Sequence, residues 1–150
     1  MTELHDLTAI EQLAGLRAGS FSPSDLVAHY LTRIARCDEE VGAFVEVTGE
    51  AARARADALT EAEPAGALWG LPFADKDLVA RAGVLTRFGS RLHHDHVPTV
   101  TADQAAVLDE AGGISLGKTS TPEFGLTGYT ETLIGPPTRD PWNPANGAGG

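Results

Sequence analysis

The spacing of apolar and polar residues divides the chain into alternating helices and strands. The clearest helix begins at Ser22, a favoured N-cap residue followed by Pro23, and runs to about Cys37. One face of it carries the apolar residues Leu26, Val27, Tyr30, Leu31 and Ile34. Weaker helical patterns span residues 9–18, 50–61 and 101–110, the last with Thr101 as its expected N-cap.

Short apolar runs between these helices predict strands. They lie at about residues 41–48, 72–80 and 114–117, and turn residues bound them. Helices that alternate with strands favour a sheet with helices packed against it. The sequence therefore predicts the α/β class, with a mixed sheet flanked by helices and no internal domain boundary.

The second of these strands carries the most informative residue, Lys76, within Gly70-Leu71-Pro72-Phe73-Ala74-Asp75-Lys76-Asp77. Lysine is rare inside a buried strand, and burial lowers the pKa of a lysine so that it can act as a base. Asp75 and Asp77 flank it, but side chains alternate along a strand, so both carboxylates should point away from it. The competing interpretation is a lysine at a strand end that reaches water.

Composition narrows the class of protein. The 150 residues carry a formal net charge of -10, which argues against nucleic acid and anionic membranes as partners. There is no apolar run of transmembrane length and no secretory leader pattern at the N-terminus. Cys37 is the one cysteine, so no internal disulfide can form. These features predict a cytoplasmic protein.

Other residues are weaker candidates for metal binding or catalysis. His93, His94 and His96 with Asp95 include metal-ligand types, but their tight, loop-like spacing favours exposed histidines, and no metal is expected. Lys118 follows an apolar strand and competes with Lys76 as a base, although a role at the strand end is favoured. The serines at 90, 115 and 120 lack the Gly-x-Ser-x-Gly pattern of a nucleophile elbow.

Three segments in order carry a resemblance to a known family. They are the 70–77 segment, Gly117-Lys118-Thr119-Ser120-Thr121-Pro122-Glu123-Phe124-Gly125, and Thr138-Arg139-Asp140-Pro141-Trp142-Asn143-Pro144. Together they resemble the amidase signature family from about residue 13 to residue 150. The resemblance implies that the chain is the N-terminal portion of a single amidase domain that continues past residue 150. The fold would be incomplete without that remainder.

The resemblance also assigns roles. The family's catalytic base maps onto Lys76, in a Ser-cisSer-Lys relay whose two serines would lie beyond residue 150. Gly149 and Gly150 resemble the first glycines of the family's Gly-Gly-Ser-Ser-Gly-Gly loop. Gly125, Leu126 and Thr127 fall where the family lines its acyl pocket, although Leu126 could equally be a core residue.

The implied activity is hydrolysis of a carboxamide C–N bond to a carboxylate plus ammonia or an amine. No cofactor is implied. The expected partner is a small amide, and neither nucleic acid nor a membrane is expected. A homodimer is an alternative to a monomer that the sequence leaves open. Two alternatives remain: the A subunit of a Glu-tRNA/Asp-tRNA amidotransferase, and a truncated non-catalytic relative. The chain alone is expected to be inactive.

Overall fold

A computed structural model describes residues 3–62 and 64–150 of the chain. Its helices are α1 (Ala9–Arg17), α2 (Pro23–Val41), α3 (Gly49–Thr60) and α4 (Asp103–Glu110). Its strands are β1 (Phe44–Val47), β2 (Pro72–Lys76), β3 (Ile114–Thr119), β4 (Arg139–Asp140) and β5 (Asn143–Gly147). Single 3-10 turns are formed by Leu4–Asp6, Arg91–His93 and Glu123–Gly125.

Three strands form the main sheet in the order β1-β3-β2. The central strand β3 pairs in parallel with β2, where Phe73 lies opposite Ser115, and antiparallel with β1. The parallel pair needs a crossover connection, which the segment between β2 and β3, including α4, supplies. The predicted α/β class with a mixed sheet is confirmed.

Helix α2 has the start that the sequence predicts and a later end. The Ser22 side chain accepts from the backbone N–H of Asp25, whose carboxylate accepts from the N–H of Ser22, forming a capping box. The helix continues to Val41 rather than stopping near Cys37. It stops there because Gly42 adopts the left-handed conformation, with φ 61°. The strand predicted from residue 41 therefore begins only at Phe44.

Helices α2 and α3 cover one face of the sheet. Their buried side chains meet β3 in one cluster formed by Val27, Leu31, Ala52, Ala56, Ile114 and Leu116. A second cluster joins α1 to α2 through Leu16, Leu26 and Trp69. The core therefore lies between this helical layer and the central strand.

Two details differ from the sequence predictions. Thr101 does not cap α4, since its hydroxyl accepts from the backbone N–H of Ala82 at 3.1 Å and the N-cap position is Ala102. The turn-rich C-terminal segment contains the antiparallel pair β4-β5, in which Asp140 lies opposite Asn143. Among the described residues, no helix has both the length and the apolar character needed to span a membrane.

Candidate active site

Lys76 is the last residue of β2, and its side chain is exposed. Of the two interpretations of this lysine, the one observed is a lysine at a strand end that reaches water. Among the described residues β2 is an edge strand of the sheet, and Lys76 lies where this strand ends. Its role as a base stays a prediction.

Asp75, on one side of Lys76, is buried and bound by several partners. Arg81 donates to its carboxylate from Nε at 2.7 Å, and the Ser115 hydroxyl donates at 2.8 Å. Arg81 also bonds Asp109 at 2.6 Å. Burial acts to lower the pKa of Arg81, but the hydrogen bonds to both carboxylates outweigh it and raise that pKa. Asp75 is thus held by the neighbouring strand β3 and by the loop that follows β2.

Asp77, on the other side, is also buried and lies 4.0 Å from Nζ of Lys118. Its two carboxylate oxygens accept from the backbone N–H of Arg87 at 3.1 and 3.2 Å. Burial raises the pKa of Asp77, against the lowering effect of the Lys118 charge and of backbone hydrogen bonds. Asp77 therefore holds the loop that follows β2.

Lys118, rather than Lys76, is the buried lysine of the chain. Its side chain is fully buried, and its ammonium donates to the Val79 carbonyl and, at 3.3 Å, to the Thr86 hydroxyl. Burial lowers the pKa of Lys118, and the nearby carboxylate of Asp77 only partly opposes this effect. A substrate could not reach this nitrogen, so its place in the fold is structural.

These two arrangements leave Lys76 without a carboxylate partner. Within the described residues, no carboxylate oxygen lies within 4.0 Å of its Nζ. Both flanking carboxylates are turned toward Arg81 and Lys118, as alternation along the strand predicts. The result is an unpaired primary amine at the edge of the sheet.

The other predicted site residues form one connected surface next to this strand. Gly125 approaches Leu78, so that a Cβ at Gly125 would lie 2.9 Å from the Leu78 methyl carbon. Gly150 in turn packs against the backbone of Thr127, and the Thr130 hydroxyl donates to the Gly149 carbonyl at 2.9 Å. The segment after β2, the 125–127 segment and the terminal glycines are therefore neighbours.

Leu126 is 80% exposed, so the interpretation of it as a core residue is wrong. Gly125 and Thr127 are exposed as well. Three consecutive exposed residues beside a glycine-rich segment are available to contact a ligand, although their role as an acyl pocket stays a prediction.

Sequence reasoning missed two strained residues in the same region. Phe88 and Phe124 have φ of 54° and 51°, in the left-handed region that bulky residues rarely occupy. The two segments are joined by a hydrogen bond from the Phe124 N–H to the Phe88 carbonyl at 2.8 Å. Both residues precede a glycine, so the repeated Phe-Gly pair was the available signal. Strained backbone of this kind clusters at functional sites.

The other candidate residues, the 93–96 segment and the three serines, make contacts typical of a structural role. The rings of His93 and His96 pack edge-to-face at 5.4 Å, while His94 and Asp95 point outward at 72% and 81% exposure. The hydroxyl of Ser120 donates to the Gly42 carbonyl at 2.8 Å. The hydroxyl of Ser90 accepts from the Leu92 N–H at 3.2 Å. Together with Ser115, which donates to Asp75, each of the three serines thus has a hydrogen bond within the fold.

Comparison with known proteins shows consistent similarity along almost the whole chain. The model of the Amidase family matches residues 25–150. The A subunit of the Glutamyl-tRNA(Gln) amidotransferase of Chromohalobacter salexigens is 40% identical over 98% of this chain and 32% of its own length. Its counterpart in Psychrobacter cryohalolentis is 37% identical over 100% of this chain and 31% of its own. The chain thus spans about a third of these relatives.

Solved structures agree with this result. A bacterial aryl acylamidase of the amidase signature enzymes superposes with a TM-score of 0.88 and 30% identity, over 96% of this chain and 31% of its own. The A subunit of the Glutamyl-tRNA(Gln) amidotransferase from Thermotoga maritima gives 0.80 and 28%, over 100% of this chain and 30% of its own.

Proposed function

Because this chain belongs to the amidase family, whose members share the amidase signature, we propose that it supplies the base of an enzyme that cleaves carboxamide C–N bonds. The products are a carboxylate and ammonia or an amine. The observation that carries the proposal is the position of Lys76, an amine without a carboxylate partner two residues before Leu78, which lies against Gly125.

The fixed carboxylates leave the Lys76 amine available to the catalytic partners that the family resemblance assigns to it. Arg81 and Lys118 bind Asp75 and Asp77 on the other side of the strand, so neither neutralises Lys76. The strand thus presents the amine while its neighbours fix the backbone on either side.

By the family resemblance, Lys76 acts in a Ser-cisSer-Lys relay. The neutral amine accepts a proton from one serine, which in turn activates a second serine to attack the amide carbonyl. Backbone N–H groups stabilise the oxyanion, the amine leaves, and water hydrolyses the acyl-enzyme. Gly149 and Gly150 begin the loop that approaches Lys76 in this proposal, and Gly125, Leu126 and Thr127 contact the acyl group. The substrate is a small amide.

The test is Lys76→Met in the protein at the full length that its gene encodes. We expect the rate of ammonia release from a panel of simple amides to fall by about 10³-fold or more, as for loss of a triad member. Lys76→Arg should be equally inactive, because a guanidinium does not lose its proton near neutral pH.

Arg53→Met is the matched control, because it removes an exposed cation from α3, away from the segments that surround Lys76. Its rate should stay within about twofold of the unsubstituted protein, as for most surface substitutions. If Lys76→Met retains full activity while its thermal midpoint is unchanged, the assignment of the base is wrong. If no amide is cleaved by the unsubstituted protein, the non-catalytic alternative replaces the proposal.

A second candidate function is supported by the relatives at 37–40% identity, which are amidotransferase A subunits. In that case glutamine would be the amide donor, and the ammonia would pass to an aminoacyl-tRNA on partner subunits. The discriminating measurement is the preferred amide. A marked preference for glutamine, together with partner subunits that co-purify, favours the amidotransferase, whereas activity on varied amides by the isolated protein favours the hydrolase.

A further inference from the structure

The N-terminal segment and helix α2 bring three metal-ligand side chains together. One ligand atom each from Glu3, His5 and His29 lie within 4.8 Å of one another. The imidazoles of His5 and His29 stack with their centroids 5.1 Å apart, and Nδ1 of His5 lies 2.9 Å from Nε2 of His29. No part of the proposed amide chemistry uses these residues.

Packing that involves none of the three ligands fixes this arrangement. The buried amide of Gln12 donates to the carbonyls of Leu4 and Leu7, at 2.9 and 3.2 Å, and to the Tyr30 hydroxyl at 2.7 Å. The Leu4 side chain packs against the cluster of Leu16, Leu26 and Trp69. The segment that carries Glu3 and His5 is therefore held against α2 before any ligand binds, and such preorganisation lowers the cost of binding.

We propose that Glu3, His5 and His29 form a binding site for a divalent metal of the zinc type, with water as the fourth ligand. Two imidazoles and one carboxylate are a donor set that zinc accepts in a tetrahedral site with one open position. Bonds of about 2.0 Å place two tetrahedral nitrogens about 3.3 Å apart. The two histidine nitrogens need to separate by only a few tenths of an ångström to reach that spacing.

The hydrogen bonds around His5 specify its form when no metal is bound. In the structure, Nη1 of Arg33 lies 3.0 Å from Nε2 of His5. A guanidinium can only donate, so Nε2 is the acceptor and Nδ1 carries the proton shared with His29. A metal on Nδ1 requires the other tautomer of His5, in which Nε2 carries the N–H.

The new N–H already has an acceptor nearby. Oδ1 of Asp6 lies 3.7 Å from Nε2 of His5, and the other oxygen of that carboxylate is held by the Glu3 backbone N–H at 2.9 Å. Carboxylates that accept from a metal-bound histidine are a recurring second layer of zinc sites. Asp6 therefore supports the metal-bound form, whereas Arg33 competes with it.

The experiment is titration of the metal-free protein, at its full encoded length and at pH 7.5, with Zn²⁺ in a calorimeter. We expect one high-affinity site, and Co²⁺ in its place should give the visible absorption of a tetrahedral complex. His29→Gln and His5→Gln should each weaken Zn²⁺ binding by at least about tenfold. Thermal unfolding of each variant without metal checks that the fold is retained.

Two further variants test the arrangement of charges, and their effects have opposite signs. Asp6→Asn should weaken Zn²⁺ binding by about tenfold or more through loss of the second layer. Arg33→Gln should strengthen it, since a competing donor and a positive charge are removed. His94→Gln is the matched control, as it removes a 72% exposed histidine from the other histidine-rich segment.

The proposal is overturned if the protein binds no Zn²⁺, if His29→Gln binds it as tightly as the unsubstituted protein, or if His94→Gln weakens binding as much. Weaker binding by Arg33→Gln overturns it as well, because it means that the guanidinium supports the site. Amide cleavage is measured separately with Lys76→Met, so failure of either proposal leaves the other intact.

Discussion

At the scale of single residues, the buried pair of Lys118 and Asp77 makes the sharpest stability prediction. Lys118→Met leaves Asp77 buried without its cation, and removal of one partner of a buried pair costs about 3–5 kcal/mol. The free energy of unfolding, measured with urea, should fall by that amount. Lys76→Met, at an exposed position, should change it by less than about 0.5 kcal/mol.

The double variant Lys118→Met with Asp77→Leu separates the cost of the unpaired carboxylate from the cost of lost packing. Because it removes the unpaired charge as well, it should recover much of the lost stability. If the single and double variants are equally unstable, the loss comes from packing and not from the unpaired carboxylate.

Lys118 also predicts a dependence of stability on pH. Its pKa in the folded protein lies below the ordinary value of 10.5, because burial disfavours the ammonium. Between the lowered pKa and 10.5, the unfolded chain binds more protons at this side chain than the native protein does. The free energy of unfolding should therefore gain a contribution that rises with pH across that window.

Urea unfolding at intervals from pH 7 to pH 10 measures this effect. The reference is Lys118→Met, which lacks the titrating group and should show a smaller rise over the same range. Identical slopes for the two proteins would mean that Lys118 stays charged in the fold throughout.

At the scale of elements, Gly117 decides how closely β1 can approach β3. It has a φ of 146°, and a Cβ there would overlap the Glu46 carbonyl oxygen and lie 2.9 Å from Cα of Val47 on the facing strand. Gly83 also has a positive φ, 75°, but no other atom lies within 4 Å of the position of its Cβ. The two glycines therefore differ in contact while sharing an unusual backbone.

Alanine at the two positions should have unequal costs. Gly83→Ala should lower the free energy of unfolding by about 1–2 kcal/mol, the cost of backbone strain. Gly117→Ala should lower the free energy of unfolding by about 1–3 kcal/mol more than Gly83→Ala does, since the strands must also move apart. Equal losses in urea unfolding would show that the contact with Val47 is relieved without cost.

Most of the helices and strands could be predicted from the sequence. The cap at Ser22, the helix α2 and the three strands follow local patterns of capping residues and apolar spacing, and the structure confirms their presence. Their ends differ, since the strand predicted over residues 72–80 stops at Lys76. The sequence left the burial of Lys76 open because strand order is set by long-range pairing, and nothing local in the 70–77 segment identifies an edge strand.

The candidate site was predictable to a similar extent. The prediction from strand alternation that Asp75 and Asp77 point away from Lys76 is correct. Their partners, Arg81 and Lys118, come from separate parts of the chain that meet only in the folded protein. Lys118 had the expected features of a strand-end residue, and its burial depended on the loop that Asp77 holds.

At the scale of the whole molecule, the segment from 124 to 142 leaves several large apolar side chains exposed. They include Leu126, Leu133 and Trp142, at 80%, 75% and 91% exposure. Exposed apolar surface promotes association. We expect the 150-residue chain, expressed as it stands, to self-associate with rising concentration in analytical ultracentrifugation.

A triple glutamine variant of Leu126, Leu133 and Trp142 should shift this chain toward the monomer. The matched control replaces Ile10, Leu92 and Val100, which are as exposed but lie in separate segments of the chain. If both triple variants reduce association equally, total apolar exposure rather than this segment is responsible.

The contrast between the two lysines of the chain has a practical consequence. Lys76 is open to solvent and Lys118 is fully buried, so an amine-acylating reagent should tag one lysine side chain in the native protein and two in the unfolded chain. The mass added at Lys118 then records each opening of the fold. Acylation of Lys118, read by peptide mass spectrometry, therefore measures how often the fold opens without any substitution in the chain.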